Sequence, residues 1–247
     1  MVHHTRGGAV PVPHDRQTVI ARRLHKDDVH ETLLAAIVAG VLPEGSRLRD
    51  SDLESWLGVS RTPIRAALVR LEHIGLVEAV PQCWTRVAVA RPDVVPALVV
   101  ALCALWRDLV VEGQGALAPE AAGGVRRALA RCAAPLDAYR ADPAPDADRC
   151  RALVDQVFAC VALLRGGDVP DVVRGALDGL ESRLRHQAAL LGRHLDADLV
   201  GAVLDEADAA VAAGDALRLR GAVDELARRT ASRCSGPTPA SDPWWRS

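Results

Sequence analysis

The sequence predicts a mainly helical protein, with an N-terminal winged helix-turn-helix carrying a small two-stranded wing and a C-terminal all-helical bundle of about six helices. Three observations lead to this class. Apolar residues recur at three- and four-residue steps through most of the chain, glycines at 40, 58 and 75 punctuate three successive helical stretches, and the strand-like pattern is confined to 76–89.

In the first stretch, Asp28 to Ala39, the apolar residues Val29, Leu33, Leu34, Ile37 and Val38 form one helical stripe, and Gly40 suits its C-terminal cap. After the turn Pro43-Glu44-Gly45, the run Ser51-Asp52-Leu53-Glu54 has the capping-box form, which predicts a short helix over about 51–57. Gly58 stops it, Val59 packs inward, and Ser60 is placed to cap a third helix that ends at a left-handed Gly75. Helix, four-residue turn, helix is the helix-turn-helix plan. Leu76 to Val80 and Thr85 to Val89 then read as two strands joined by Pro81-Gln82-Cys83-Trp84, a wing. From Pro92 onward no strand is convincing, and breaks near 113–119, 142–145, 166–167, 194–198 and 214 leave about six helices with short connections, as in a compact antiparallel bundle. The expected organisation is a tail over 1–24, the winged unit over 25–90, the helical domain over 91–233 and a second tail over 234–247.

With 49% apolar and 25% charged residues, 247 residues suffice for a real core. A net charge of −2 argues against nonspecific coating of nucleic acid, so any such contact has to come from a local arginine patch. The six cysteines lie far apart without CxxC or zinc-finger spacing and read as reduced thiols. No stretch approaches the ~18 apolar residues of a membrane helix, and the N-terminus lacks a signal-peptide core, so a cytoplasmic chain without membrane partners is expected. His3 and His4 sit in a polar, Gly- and Pro-rich segment and read as tail; Trp244-Trp245 close a frayed end or dock elsewhere.

On a helical wheel, Ile64, Ala67, Leu68, Leu71 and Ile74 share one side of the third helix, and Arg61, Arg65, Val69 and Glu72 share another. The outward side places arginines in the first two turns beside the hydroxyls of Ser60 and Thr62, where a recognition helix meets the major groove. Arginine can fork onto guanine O6 and N7, whereas Ser, Thr and helix-terminal amides suit phosphate. Two arginines alone could simply solvate a surface helix; it is the turn and wing around them that favour the DNA-reading role.

The segments Leu42-Pro43-Glu44-Gly45-Ser46-Arg47-Leu48, Leu57-Gly58-Val59-Ser60-Arg61-Thr62-Pro63-Ile64-Arg65-Ala66-Ala67-Leu68 and Gly75-Leu76-Val77 together closely resemble the DNA-binding domain of the GntR family. The helical remainder looks like the FadR-type branch, whose C-terminal domain senses a metabolite and forms the dimer. The resemblance implies double-stranded DNA as partner, with contacts from Ser60, Arg61, Thr62 and Arg65, then Arg49 and Ser51 at the second helix, and Thr85 and Arg86 in the wing. Two departures stand out: Ala66 replaces a family Glu that would pair with the second arginine, and the wing tip is Gln82-Cys83-Trp84 where the family carries a Gly-containing tip.

Many FadR-type proteins hold a divalent metal with Asp and three His. Here Asp155 is kept, but Ala159, Leu204 and Leu226 stand where the His ligands fall when Gly214-Asp215 is aligned with the family's Gly-Asp turn. Neither Ala nor Leu can coordinate, so the metal site reads as lost and no cofactor is expected. The competing metal reading combines Asp155 with His186 and His194. Trp106 reads first as core or subunit contact and second as a pocket wall, and Cys160 as a structural thiol or a sensor of oxidants or soft metals. The function expected is a homodimeric regulator reading a short inverted repeat, in most such proteins a repressor, responsive to a small-molecule effector of unstated identity. Two rivals remain: an interaction module whose headpiece has lost DNA binding, and a helical enzyme with a DNA-binding appendage, for which no catalytic constellation is visible.

Overall fold

The computed structural model describes residues 26–80, 83–115, 119–142, 146–164, 169–187 and 196–234. Two compact units divide the chain between Ala90 and Arg91.

In the first unit, α1 (Lys26–Val38), α2 (Asp50–Leu57) and α3 (Arg61–His73) precede β1 (Val77–Val80) and β2 (Trp84–Val87). The helices end where the sequence stops them: Gly40, Gly58 and Gly75 all have φ between 67° and 76°, a left-handed turn that side chains with a Cβ resist. α1 packs across α3, and Val29, Leu33, Ile37, Leu42, Leu53, Ile64, Leu71 and Leu76 are buried in one core. Burying each such side chain contributes roughly 1.5–3 kcal/mol before chain entropy is counted. The strands pair antiparallel with Val77 opposite Val87 and Val80 opposite Trp84, so Trp84 belongs to a strand and not to the tip. A third extended segment, not foreseen, lies along β2: the Leu48 amide donates to the Thr85 carbonyl at 2.8 Å and the Val87 amide to the Ser46 carbonyl at 2.9 Å.

The predicted capping box does not form. α2 begins one residue earlier, at Asp50, with an extended Arg49 at its N-cap and no side-chain cap, and the Ser51 hydroxyl turns to its neighbour Asp52 at 3.2 Å. With Asp50 and Asp52 in its first turn, α2 has carboxylates beside its free amides, which the positive helix end favours. Ser60 does occupy the N-cap of α3, extended at φ −72° and ψ 168°, but its side chain makes no cap bond.

The second unit is all helical among the described residues: a 3-10 turn (Pro92–Val94), then α4 (Val95–Gly115), α5 (Pro119–Arg131), α6 (Ala133–Arg140), α7 (Ala147–Leu164), α8 (Asp171–His186), α9 (Ala197–Ala213) and α10 (Ala216–Cys234). Among the described residues seven helices stand where six segments were expected, because one is divided at Cys132. Pro135 has no N–H to continue the ladder and its ring opposes the carbonyl four residues back, so it is accommodated in the first turn of a new helix. The Cys132 amide accordingly bonds the Leu129 carbonyl at 2.9 Å, three residues back. α4 packs against α7, α8 and α10 around Leu102, Trp106, Leu153, Phe158 and Leu177, with the Trp106 and Phe158 rings edge to face at 5.6 Å. Asp196 caps α9 by accepting the Asp198 and Leu199 amides, both at 3.1 Å, and Asp215 caps α10 through the Arg218 amide at 2.9 Å.

Candidate nucleic-acid interface

Burial of Ile64, Ala67, Leu68 and Leu71 fixes the roll of α3 and leaves Arg61, Arg65, Val69 and Glu72 exposed. The two arginines are not loose. Arg65 donates Nε to Asp50 Oδ2 at 2.9 Å, with Nη2 at 2.9 Å from the same oxygen, and Arg61 donates Nε to Glu54 Oε2 at 3.3 Å. Both carboxylates come from α2, so the helix before the turn orients the arginines of the helix after it. The Arg65 side chain stays 69% exposed, which leaves the outer edge of its guanidinium open. Asp50 thus supplies the ion pair that Ala66 lacks.

An open cleft of about 690 Å³ lies between the start of α2, the outer face of α3 and the wing. It gathers Arg49, Ser51, Arg61, Arg65 and Thr85 from the predicted set, together with Arg47, Asp50, Val69, Glu72 and Cys83, which sequence reading did not assign to a DNA contact. Arg47, Arg49, Arg61 and Arg65 face Asp50 and Glu72 there, a local excess of positive charge on a chain of negative net charge. Ser60 and Thr62 are exposed at the entry of α3, outside the cleft lining, where a phosphate could meet their hydroxyls. Arg86 turns elsewhere: its Nε donates to Glu78 Oε2 at 2.8 Å, and its guanidinium lies 4.4 Å from the Trp84 ring centroid. Val69 was visible on the wheel as outward-facing, and at 64% exposure it is an apolar group with no core to join. Asp50 carried no such signal, because its partner lies 15 residues away.

In the second unit, a cavity of about 200 Å³ is lined by Trp106, Val157, Phe158, Leu204 and Leu226, with Asp196 and Thr230 among its few polar neighbours. Trp106 is therefore both core and cavity wall, and its indole Nε1 is buried with no hydrogen-bond partner. Asp155 accepts a 2.6 Å bond from Arg185 Nε, and the same guanidinium sits 4.6 Å from the Phe158 ring centroid. Among the described residues no three His, Cys, Asp or Glu side chains gather as metal ligands. His186 is half-buried at the end of α8; His194 lies outside the described residues. Cys160 is buried against Cys132, Sγ to Sγ 3.6 Å, a proximity absent from the linear sequence. Among the described residues no helix is long and apolar enough to cross a membrane.

A buried three-helix core, an exposed arginine-bearing third helix and an antiparallel wing define a winged helix-turn-helix DNA-binding unit. Residues 25–87 match the model of the gntR family of bacterial regulatory proteins. Over nearly its whole length the chain is similar to an uncharacterized HTH-type transcriptional regulator of Mycobacterium tuberculosis, 31% identical over 248 residues that span 94% of this chain and 96% of the relative. Its fold is similar to that of McbR/YncC from E. coli (TM-score 0.61, 17% identity, 85% of this chain and 96% of the other). It also resembles a GntR-type structure from Rhodococcus sp. RHA1 (TM-score 0.53, 20% identity, 87% and 99%). The chain belongs to the GntR family of bacterial transcription regulators.

Proposed function

We propose that this regulator is a ligand-responsive homodimeric repressor of the FadR-type branch, in which residues 25–90 bind DNA and residues 91–233 bind the effector and form the dimer. The two α3 helices of the dimer read the halves of a short inverted repeat, since two-fold protein symmetry maps onto palindromic DNA. The observation that carries this reading is Arg65, held from behind by Asp50 and open at its outer edge. So held, the guanidinium presents two N–H groups to guanine O6 and N7 without first having to order itself. Arg61, buttressed by Glu54, does the same one turn earlier, while Ser60, Thr62, Ser51, Arg49 and Thr85 take phosphates. Arg86, engaged with Glu78 and Trp84, stiffens the wing and approaches the backbone only with its remaining donors.

Ligand responsiveness is supported by the cavity beside Trp106. The branch's metal does not fit: the available Asp155 is bonded to Arg185, and Ala159, Leu204 and Leu226 offer no donor. An effector would bind one arrangement of the two DNA-binding heads better than the other and shift the population that fits the operator. No chemical turnover is assigned to the chain, and a cytoplasmic location follows from its target. The test is selection of genomic fragments by the purified protein, followed by footprinting. Protection of two symmetric half-sites by wild type, and not by Arg61→Ala or Arg65→Ala, is expected. Failure to enrich any fragment would leave the interaction-module reading in its place.

A further inference from the structure

We infer that Cys132 and Cys160 form a redox-active dithiol that closes reversibly to a disulfide within the helical unit. The two sulfurs lie 3.6 Å apart, from residues separated by 28 positions, and both side chains are buried at 0% and 2% exposure. A disulfide needs about 2.05 Å between sulfurs, so closure brings the two facing sulfurs together by roughly 1.5 Å. The pair is also differentiated. The two thiols share a contact in which either sulfur can be the donor; that shared hydrogen bond, with the Arg131 charge near, holds Cys160 below the ordinary thiol range against the opposing effect of burial. The same shared hydrogen bond, together with burial, pushes Cys132 up. Cys103 is a buried thiol of the other kind: burial pushes it up to about 12. The Cys132 thiol also faces the Ala128 carbonyl at 3.7 Å, an acceptor that favours its protonated form, so Cys160 is the attacking sulfur and Cys132 the resolving one.

The chemistry balances with a hydroperoxide as oxidant. The Cys160 sulfur attacks the O–O bond; an S–O bond forms, the O–O bond breaks, and the alcohol (water, for hydrogen peroxide) departs with the Cys160 proton. The Cys132 sulfur then attacks the sulfenic sulfur; the S–S bond forms, and the S–O bond breaks to release water carrying the Cys132 proton. Two thiols are oxidised and one peroxide is reduced. Cys132 sits at the junction of α5 and α6, where Pro135 interrupts the helical ladder, and local opening there would admit the oxidant to the buried pair. Closure would tie that junction to α7, the helix that gives Leu153, Val154, Val157 and Phe158 to the cavity wall. The redox state of the pair would thus bear on the cavity.

The test uses the reduced full-length chain treated with hydrogen peroxide, then alkylated, digested and mapped by mass spectrometry. The expected result is a single cross-linked peptide pair, lighter by two hydrogens, that joins Cys132 to Cys160 and reverts with dithiothreitol while Cys103 remains a thiol. In Cys132→Ser the expected product is a sulfenic acid trapped at Cys160 by dimedone. Free, alkylatable Cys132 and Cys160 at peroxide doses that oxidise the exposed Cys83 would overturn the inference. So would a cross-link that forms only in urea. The wild-type map decides the matter even if the variant does not fold.

Discussion

Replacing Asp50 by Asn keeps the size of the side chain and removes the charge that holds Arg65. Both Arg65 nitrogens that reach Asp50 do so at 2.9 Å, yet the arginine side chain is 69% exposed, so the pair stabilises the fold by no more than about 0.2–1 kcal/mol. Thermal stability should therefore hardly change. Operator binding should change more, because an unrestrained guanidinium has to be ordered on the DNA, at about 0.5–1.5 kcal/mol for a rotamer-rich side chain. That corresponds to a loss of roughly 2- to 10-fold in operator affinity. Affinity for a scrambled duplex should stay level or rise slightly, since one negative charge leaves a phosphate-facing cleft. Fluorescence anisotropy titrations of both duplexes at one salt concentration measure the two effects side by side. Equal tightening on both duplexes would refute the positioning role and make Asp50 merely a repulsive charge.

Arg61→Ala and Arg65→Ala should each weaken operator binding by about 1–3 kcal/mol and relax the preference at one base position per half-site, readable by titrating operators changed at single positions. Gly58→Ala meets no atom within 4 Å but forces a Cβ at φ +67°, so it should cost roughly 1–2 kcal/mol through the backbone alone, measured as a lower urea midpoint of the first unit with unchanged slope. Leu177→Ala, at a fully buried side chain on α8, should destabilise the helical unit by about 2–5 kcal/mol, seen in its calorimetric transition. The Arg126 guanidinium, hydrogen-bonded to Asp208, holds that carboxyl below its ordinary value. Its stabilising effect is complete at neutral pH and is lost as the pH falls from about 4 through the folded value, so Asp208→Asn should flatten that part of the acid-unfolding curve.

The DNA-binding unit was legible in the sequence because its signals are local. Apolar spacing placed Val29, Leu33, Ile37, Ile64 and Leu71 in the core, and three glycines fixed where the helices end. The face of α3 followed from the same periodicity: Arg61, Arg65 and Val69 are exposed as the wheel requires. What was not legible depends on partners distant in sequence. Ser51 has the capping-box neighbour it needs, but the carboxylate of Asp50 joins the first turn, so the helix starts before the serine. The strand-like segment at 46–48 is too short for alternation to show, and its pairing is with β2, 37 or more residues on. The helix break at Cys132 had a readable cause in Pro135, hidden by an otherwise continuous Ala, Leu and Arg pattern. Nothing in the spacing of Cys132 and Cys160 announces that the α5–α6 junction and α7 bring them together.

Sequence-specific reading of DNA through α3 is tested most directly by the ratio of affinities for the selected operator and for a scrambled duplex of equal length, measured with the full chain across a salt series. A ratio of at least ~10³ at physiological salt, with both affinities falling as salt rises, is the expected result. A ratio near one at every salt concentration would contradict it and reduce the arginine cleft to a nonspecific charged surface.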